Sequence, residues 1–166
     1  RRKVIPYKPG RPINTDAIEQ TMQGRRAAAI SGTPVNKPPI KSKILAGKVV
    51  VLSFWFIESN ACMEQIPKME RMAARYAGRE DIVFLAVMPE PDYVVSRFLY
   101  RLKLQYSIIP YGYEIAESYR VKAYPATVVI DKDRYIAEYI IGNEWDWEAR
   151  LEAVVKWAVG RQESRQ

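Results

Sequence analysis

The sequence predicts an α/β fold with a mixed central β-sheet flanked by helices on both faces, and with an N-terminal extension. Two apolar runs, residues 49–56 and 82–88, have the composition of strands that are buried on both sides. Amphipathic helix patterns follow both runs, and two more apolar segments, at 126–130 and 135–141, have the spacing of a hairpin. Strands that alternate with helices and end in a hairpin make a mixed sheet.

The domain plan follows from composition and from the positions of proline. The chain has 166 residues, of which 48% are hydrophobic, and this is enough for one packed core. We expect a basic, proline-rich extension at 1–43, a domain at 44–160 and a tail at 161–166. Within the extension the pattern predicts a short helix at 17–23, capped by the preceding polar residues, and a short edge strand at 26–30.

The net charge of +7 comes from the N-terminal part of the chain. The first 48 residues hold eleven Lys or Arg against two acidic residues, whereas the remainder holds fifteen against seventeen. Basic arms can bind nucleic acid or an anionic membrane. Because this arm shows no sustained amphipathic or aromatic-interleaved basic pattern, we favour a solvated tail and expect no nucleic-acid partner.

The chain has no histidine and a single cysteine, Cys62. The first fact excludes Ser/His and Cys/His nucleophile pairs and histidine zinc sites, and we expect neither a metal nor a cofactor. One cysteine cannot form an internal disulfide, so any disulfide chemistry joins this chain to another molecule. The chain starts at Arg1 without an initiator Met or an apolar signal core, which leaves open a removed leader or anchor, or a trimmed terminus.

The predicted helices occupy the spaces between these strands. Apolar residues at helical spacing follow Cys62, and we expect Pro67 to kink this helix and Gly78 to end it. Asp92 is the expected N-cap of the next helix. A short strand at 107–110, a short helix at 114–119 and a last helix at 145–158 complete the order. The three tryptophans assigned to packing are Trp145, Trp147 and Trp157.

Cys62 lies at the start of a helix, directly after the first buried strand. Unpaired N–H groups and the helix dipole stabilise a thiolate at such a position, so the sequence predicts a partly buried thiol with a lowered pKa. The alternative is an inert cysteine that packs as a small hydrophobic side chain.

Two motifs resemble a known family. The string GKVVVLSFWF with Ser59-x-x-Cys62, and the string AYPATVVID at 123–131, are similar to the thioredoxin-like fold and to TlpA-type thiol:disulfide oxidoreductases of the AhpC/TSA-thioredoxin superfamily. The resemblance covers about 44–160. It implies an extracytoplasmic protein, in the bacterial periplasm, whose partners are protein thiols or disulfides and a redox partner protein. A membrane tether beyond this sequence stays open, as does the oligomeric state.

The resemblance also implies roles for individual residues. Ser59 occupies the position of the attacking cysteine, Cys62 that of the resolving thiol, and Pro125 that of a cis-proline beside the redox site. The residues expected to contact a substrate are Tyr124, Trp55 and Glu58. For Trp55 the alternative is a core aromatic, and for Glu58 a carboxylate that only complements the helix dipole.

This chain departs from the family pattern where chemistry is expected. Ser59 replaces the first cysteine, Gln65 stands where relatives often carry glutamate, and Ser53 stands where thioredoxins carry a buried acid. Ser59 is either a replacement introduced to disable the nucleophile or the natural residue of a member with altered dithiol activity. In both cases serine also serves as a helix N-cap, and dithiol activity is expected to be impaired.

Two other functions remain open from the residues. A peroxiredoxin-like peroxidase would use Cys62 with a hydroxyl residue three positions earlier, which Ser59 supplies, but Trp55 stands where that pattern has proline. A non-catalytic binding module would hold an extended chain in the groove between Ser59 and Pro125.

Overall fold

The structure, a computed structural model, describes residues 17–161. Within this range one short 3-10 helix, Ser42–Leu45, precedes the first strand. The other elements, in chain order, are α1 (Ala17–Met22), β1 (Val49–Phe54), α2 (Asn60–Ala74), β2 (Ile82–Val87), α3 (Asp92–Leu102), β3 (Ser107–Ile109), α4 (Tyr113–Ser118), β4 (Ala126–Ile130), β5 (Ile136–Ile141) and α5 (Trp147–Gly160).

The strands form one mixed sheet in the order β3-β2-β1-β4-β5. β1, β2 and β3 are parallel, β4 is antiparallel to β1, and β5 is antiparallel to β4. Phe54 pairs with both Val87 and Ala126, and Ala126 pairs with Ile141. The ends of β1, β2, β3 and β5 and the start of β4 therefore lie together, at what we call the site end of the sheet. The mixed α/β fold is confirmed.

Helices cover both faces of the sheet. Alternate residues of β1 point to opposite sides, as strand geometry requires: Val51 packs with α2, α3 and α5, whereas Leu52 packs with α1 and α4. We call these the α2 face and the α4 face. Both residues are fully buried, and each buried side chain of this size contributes about 1.5–3 kcal/mol to folding.

Residues 17–43 contact the sheet more closely than an extension would. Met22 and Ile30 are buried in the core of the α4 face. The strand predicted at 26–30 is not formed: a single bridge joins Arg26 to Tyr135, Ala27 donates to the Arg134 carbonyl beside it, and residues 28–31 continue without strand pairing. The predictions for residues 1–16, including the cap of α1, and for the tail after 161 lie outside the described residues.

Three local predictions differ from the structure. Pro91 is the N-cap of α3, and Asp92 is the first helical residue, whose carboxylate accepts the Tyr93 N–H. α2 includes Pro67, as predicted, but it ends at Ala74, before Gly78. Trp145 does not pack, because it lies in the loop before α5 and is 88% exposed. No helix among residues 17–161 is both long and apolar enough to cross a membrane.

Candidate active site

Ser59 is the N-cap of α2. Its backbone is extended (φ −93°, ψ 115°), and its Oγ accepts the N–H of Cys62 at 3.1 Å. The first-turn N–H groups of a helix have no partner within the helix, so the serine hydroxyl satisfies one of them. Ser59 is half-buried. The side chain at the position of the attacking cysteine is therefore held at the surface and engaged in capping.

Cys62 is fully buried, which the sequence did not predict. Burial raises the pKa of the Cys62 thiol, and the charge of Glu90 adds to the increase, while hydrogen bonds with Ser59 and the Phe56 backbone oppose it. The predicted decrease in pKa is wrong because desolvation of the thiolate outweighs the stabilisation offered by the helix start. The thiol shares the inner side of α2 with Ile66.

Tyr124 and Pro125 lie directly before β4, and the peptide bond between them is cis. The Pro125 carbonyl accepts the Gly142 N–H at 2.7 Å, which holds the β5–α5 loop beside it. The Tyr124 ring packs edge-on against Phe56, with 5.2 Å between the ring centroids.

Electrostatic influence shows which groups surround Tyr124. Burial raises the pKa of the Tyr124 hydroxyl, and the charges of Tyr113, Glu90 and Cys62 raise it further. Tyr124 also packs against the hydrophobic cluster of the α2 face that contains Cys62, so the structure brings the two residues to the same part of the core, although they are far apart in sequence. Pro125 directly follows Tyr124 in the chain and therefore lies in the same part of the site.

Trp55 lies behind the thiol and not on the surface of the site. It is fully buried, its Nε1 donates to Gln65 Oε1 at 2.8 Å, and its ring lies 5.1 Å from that of Tyr106. The core interpretation fits this position, and a direct substrate contact does not. Glu58 is exposed in the turn before Ser59.

A group of buried polar side chains lies under the site, on the α2 face. Each has a buried atom without a hydrogen-bond partner among the described residues: Ser53 Oγ, Gln65 Nε2, Tyr106 Oη and Thr127 Oγ1. Ser53 and Thr127 are paired across β1 and β4. Burial raises the pKa of Tyr106, and hydrogen bonding with the Ser53 side chain, although it is not well formed, opposes that increase. The two positions that depart from the family pattern, 53 and 65, thus belong to one buried group.

Sequence reasoning missed Glu90. Its Oε2 accepts the Ile57 N–H at 2.9 Å, and its Oε1 is buried without a hydrogen-bond partner in the described part of the chain. Its charge raises the pKa of both Cys62 and Tyr124. The sequence held one signal, an acidic residue between two prolines directly after a buried strand.

The chemistry open to this site is that of a thiol. The Ser59 hydroxyl accepts a backbone N–H, and without histidine the usual activator of a serine nucleophile is missing. Residues 17–161 contain no group of three or more His, Cys, Asp or Glu side chains that could hold a metal ion.

Comparison with known sequences decides the family. The sequence model of the AhpC/TSA family matches residues 23–139. The chain belongs to the AhpC/TSA family. Among relatives in this family, the thiol-disulfide oxidoreductase ResA of Bacillus thuringiensis (strain Al Hakam) is 29% identical over 130 residues, which cover 77% of this chain and 75% of ResA. The thioredoxin-like protein YneN of Bacillus subtilis (strain 168) is 26% identical over 99 residues, 58% of each chain.

Solved structures confirm the thioredoxin-like fold of this AhpC/TSA member. The thiol:disulfide interchange protein of the thioredoxin family from Chlorobium tepidum TLS superposes with a TM-score of 0.70 at 23% identity, over 83% of this chain and 98% of its own. A thiol-disulfide isomerase from Corynebacterium glutamicum gives 0.69 at 14% identity, over 82% and 98%. At these identities the likeness concerns the fold alone.

Proposed function

We propose that this chain has the site of a thioredoxin-like thiol:disulfide oxidoreductase that acts on protein disulfides outside the cytoplasm, and that its dithiol activity is impaired because Ser59, either introduced or natural, stands in the place of the attacking thiol. One observation carries the proposal: Ser59 caps α2 and is half-buried, while Cys62 is fully buried one turn later, in the core cluster against which Tyr124 packs. An outer attacking group and an inner resolving thiol are the arrangement that dithiol exchange requires. Membership of the AhpC/TSA family and the names of the ResA relatives support it.

A complete dithiol exchange reaction becomes possible when position 59 carries a thiol. In a Ser59→Cys variant the new thiolate attacks one sulfur of a substrate disulfide, and the other substrate sulfur leaves as a thiolate that takes a proton from water. Cys62 then loses its proton to water and attacks the sulfur of residue 59 in the mixed disulfide. The second substrate thiol is released, the substrate has gained two electrons, and the two protein sulfurs end as a disulfide. With serine at 59 this cycle does not start.

The test compares the unmodified chain with Ser59→Cys on a fluorescent peptide disulfide, with the protein thiols reduced beforehand. We expect reduction of the peptide in equimolar amount by Ser59→Cys, and none by the unmodified chain or by the matched control Ser59→Ala. Circular dichroism checks that all three are folded. A folded Ser59→Cys protein that leaves the peptide oxidised would contradict the proposal, and so would exchange by the unmodified chain that depends on Cys62.

A non-catalytic binding module is the second candidate, because the Ser59 hydroxyl is engaged in capping and no base contacts it among the described residues. Peptide binding that is unchanged by Cys62→Ala, together with an inert Ser59→Cys variant, would favour it. The peroxidase alternative is disfavoured. A peroxidatic cysteine reacts as an accessible thiolate, whereas Cys62 is buried and its pKa is raised.

A further inference from the structure

Exposed aromatic side chains are concentrated at the site end of the sheet. Seven large hydrophobic side chains are exposed within residues 17–161, and four of them lie in the loops or first helical turns at this end. These four, which we call the aromatic rim, are Tyr93 (63% exposed), Tyr111 (62%), Tyr113 (71%) and Trp145 (88%). Tyrosine and tryptophan in such positions are the residues that most often anchor protein partners.

The rim flanks the candidate site on two sides. Trp145 lies in the loop that is bonded to the Pro125 carbonyl through Gly142. Tyr113, on the other side, is close enough to Tyr124 to influence its hydroxyl. Next to this second side is a groove of about 670 Å³, whose lining includes Tyr93, Tyr111 and two carboxylates. A chain lying across the site would therefore contact aromatic rings at both ends.

The same loops are acidic in a basic protein. The segments 55–59, 88–92, 110–114, 121–125 and 142–146 contain one basic residue, Lys122. Their six acidic residues are Glu58, Glu90, Asp92, Glu114, Glu144 and Asp146. The rest of the sequence holds 25 Lys or Arg and 13 Asp or Glu. Four of these carboxylates, on Glu58, Asp92, Glu114 and Glu144, are exposed, whereas Glu90 is half-buried and Asp146 is buried. The exposed charge of these segments is therefore negative, against the sign of the whole chain.

We propose that the site end docks an extended, cationic segment of a partner polypeptide, and that this segment carries the target disulfide. This inference rests on the proposed function and names its substrate class. Carboxylates attract Lys and Arg side chains. The aromatic rings of the rim pack against the methylene groups of these side chains and make cation–π contacts with their charged ends. The positive remainder of the protein repels a cationic chain from other surfaces and so directs it to this end.

The experiment uses two peptide disulfides of equal length, one with flanking lysines and one with flanking glutamates. With Ser59→Cys we expect the lysine peptide to be reduced faster by about 10-fold or more at low salt, and the difference to shrink at high salt. The triple variant Glu58→Gln, Glu114→Gln, Glu144→Gln removes the preference. A matched triple variant away from the site, Glu70→Gln, Glu80→Gln, Glu152→Gln, retains it. Trp145→Ala raises KM for the lysine peptide.

Binding of serine versions of both peptides to the unmodified chain, followed by tryptophan fluorescence, separates this inference from the proposed function. If Ser59→Cys is inert but the lysine peptide still binds better, the oxidoreductase proposal fails and the docking surface stands. Equal binding and equal rates for the two peptides overturn the docking surface. A preference that appears only after deletion of residues 1–16 overturns it too, because the basic N-terminal arm would then be the occupant.

Discussion

The two faces of the sheet treat buried polar atoms in opposite ways. On the α4 face the buried tyrosine hydroxyls donate to backbone carbonyls, Tyr139 to Tyr119 at 2.7 Å and Tyr119 to Ala28 at 2.6 Å. On the α2 face the buried hydroxyls of Ser53 and Tyr106 lie against each other without a well-formed hydrogen bond, and neither has another partner among residues 17–161. Each such atom costs about 1–3 kcal/mol. The paired hydroxyls of the α4 face therefore contribute to stability. The poorly paired hydroxyls behind the thiol lower the stability of the α2 face and leave polar groups close to Cys62.

The largest difference is expected from two neighbours on β1 that point to opposite faces. Leu52→Ala removes a fully buried side chain from the α4 face and should lower the free energy of unfolding by about 2–5 kcal/mol. Ser53→Ala removes a poorly paired hydroxyl from the α2 face and should change it by less than about 1 kcal/mol. Urea unfolding of both variants measures the contrast. Similar losses would mean that the two faces do not differ.

Removing a buried tyrosine hydroxyl should change the free energy of unfolding by less, and again by different amounts on the two faces. Tyr139→Phe leaves the Tyr119 carbonyl without its donor, and we expect a loss of about 1–2 kcal/mol. Tyr106→Phe removes a hydroxyl that has no well-formed hydrogen bond in the described structure, and should be neutral or stabilising. Thermal unfolding of the two variants decides. A destabilised Tyr106→Phe protein would show that this hydroxyl is satisfied in solution.

Ionisation of the Cys62 thiol with rising pH should have the smallest effect on stability. Its effect on the rate of alkylation should be clear. Burial raises the pKa of its thiol, so alkylation by iodoacetamide should be slow at neutral pH and increase only above the range of an ordinary cysteine. The folded chain holds this proton more tightly than the unfolded chain. The stability due to Cys62 is therefore present below the ordinary thiol pKa and is lost as pH rises through the raised value.

The control for this experiment is Cys62→Ala, in which the thiol part of the pH dependence is gone. Raised tyrosine pKa values, such as that of Tyr124, remain in the control and are subtracted by it. Rapid alkylation of the folded chain at neutral pH would show that Cys62 is accessible. It would support the prediction of a reactive thiol at the start of the helix.

The sequence was sufficient for the elements whose signals are local. Val49–Phe54 is buried throughout and Ile82–Val87 is largely buried, as their apolar runs predict, and Ser59 caps α2 as its position predicts. The mixed sheet followed from element order. The resemblance contributed what periodicity could not, namely that Tyr124 lies near a cysteine about sixty residues earlier in the chain.

Properties that depend on tertiary burial could not be predicted. Cys62 has the local position of an activated thiol, but its pKa is set by the core around it. Trp145 has the composition of a packing residue, yet α5 begins two residues later and leaves it in a loop. The charge of Glu90 acts on the Cys62 thiol only because β1 and β2 end side by side.

The segment before β1 has a consequence for the behaviour of the protein at high concentration. On one outer strand, Gly24 and Ala27 donate to β5 and the β4–β5 turn, and on the other outer strand Val35 donates to Ile108 of β3. Open outer strands are templates for pairing between molecules and lead to aggregation. A shortened chain that began at residue 44 would lack these contacts, and we expect it to aggregate through its outer strands more readily than the full sequence.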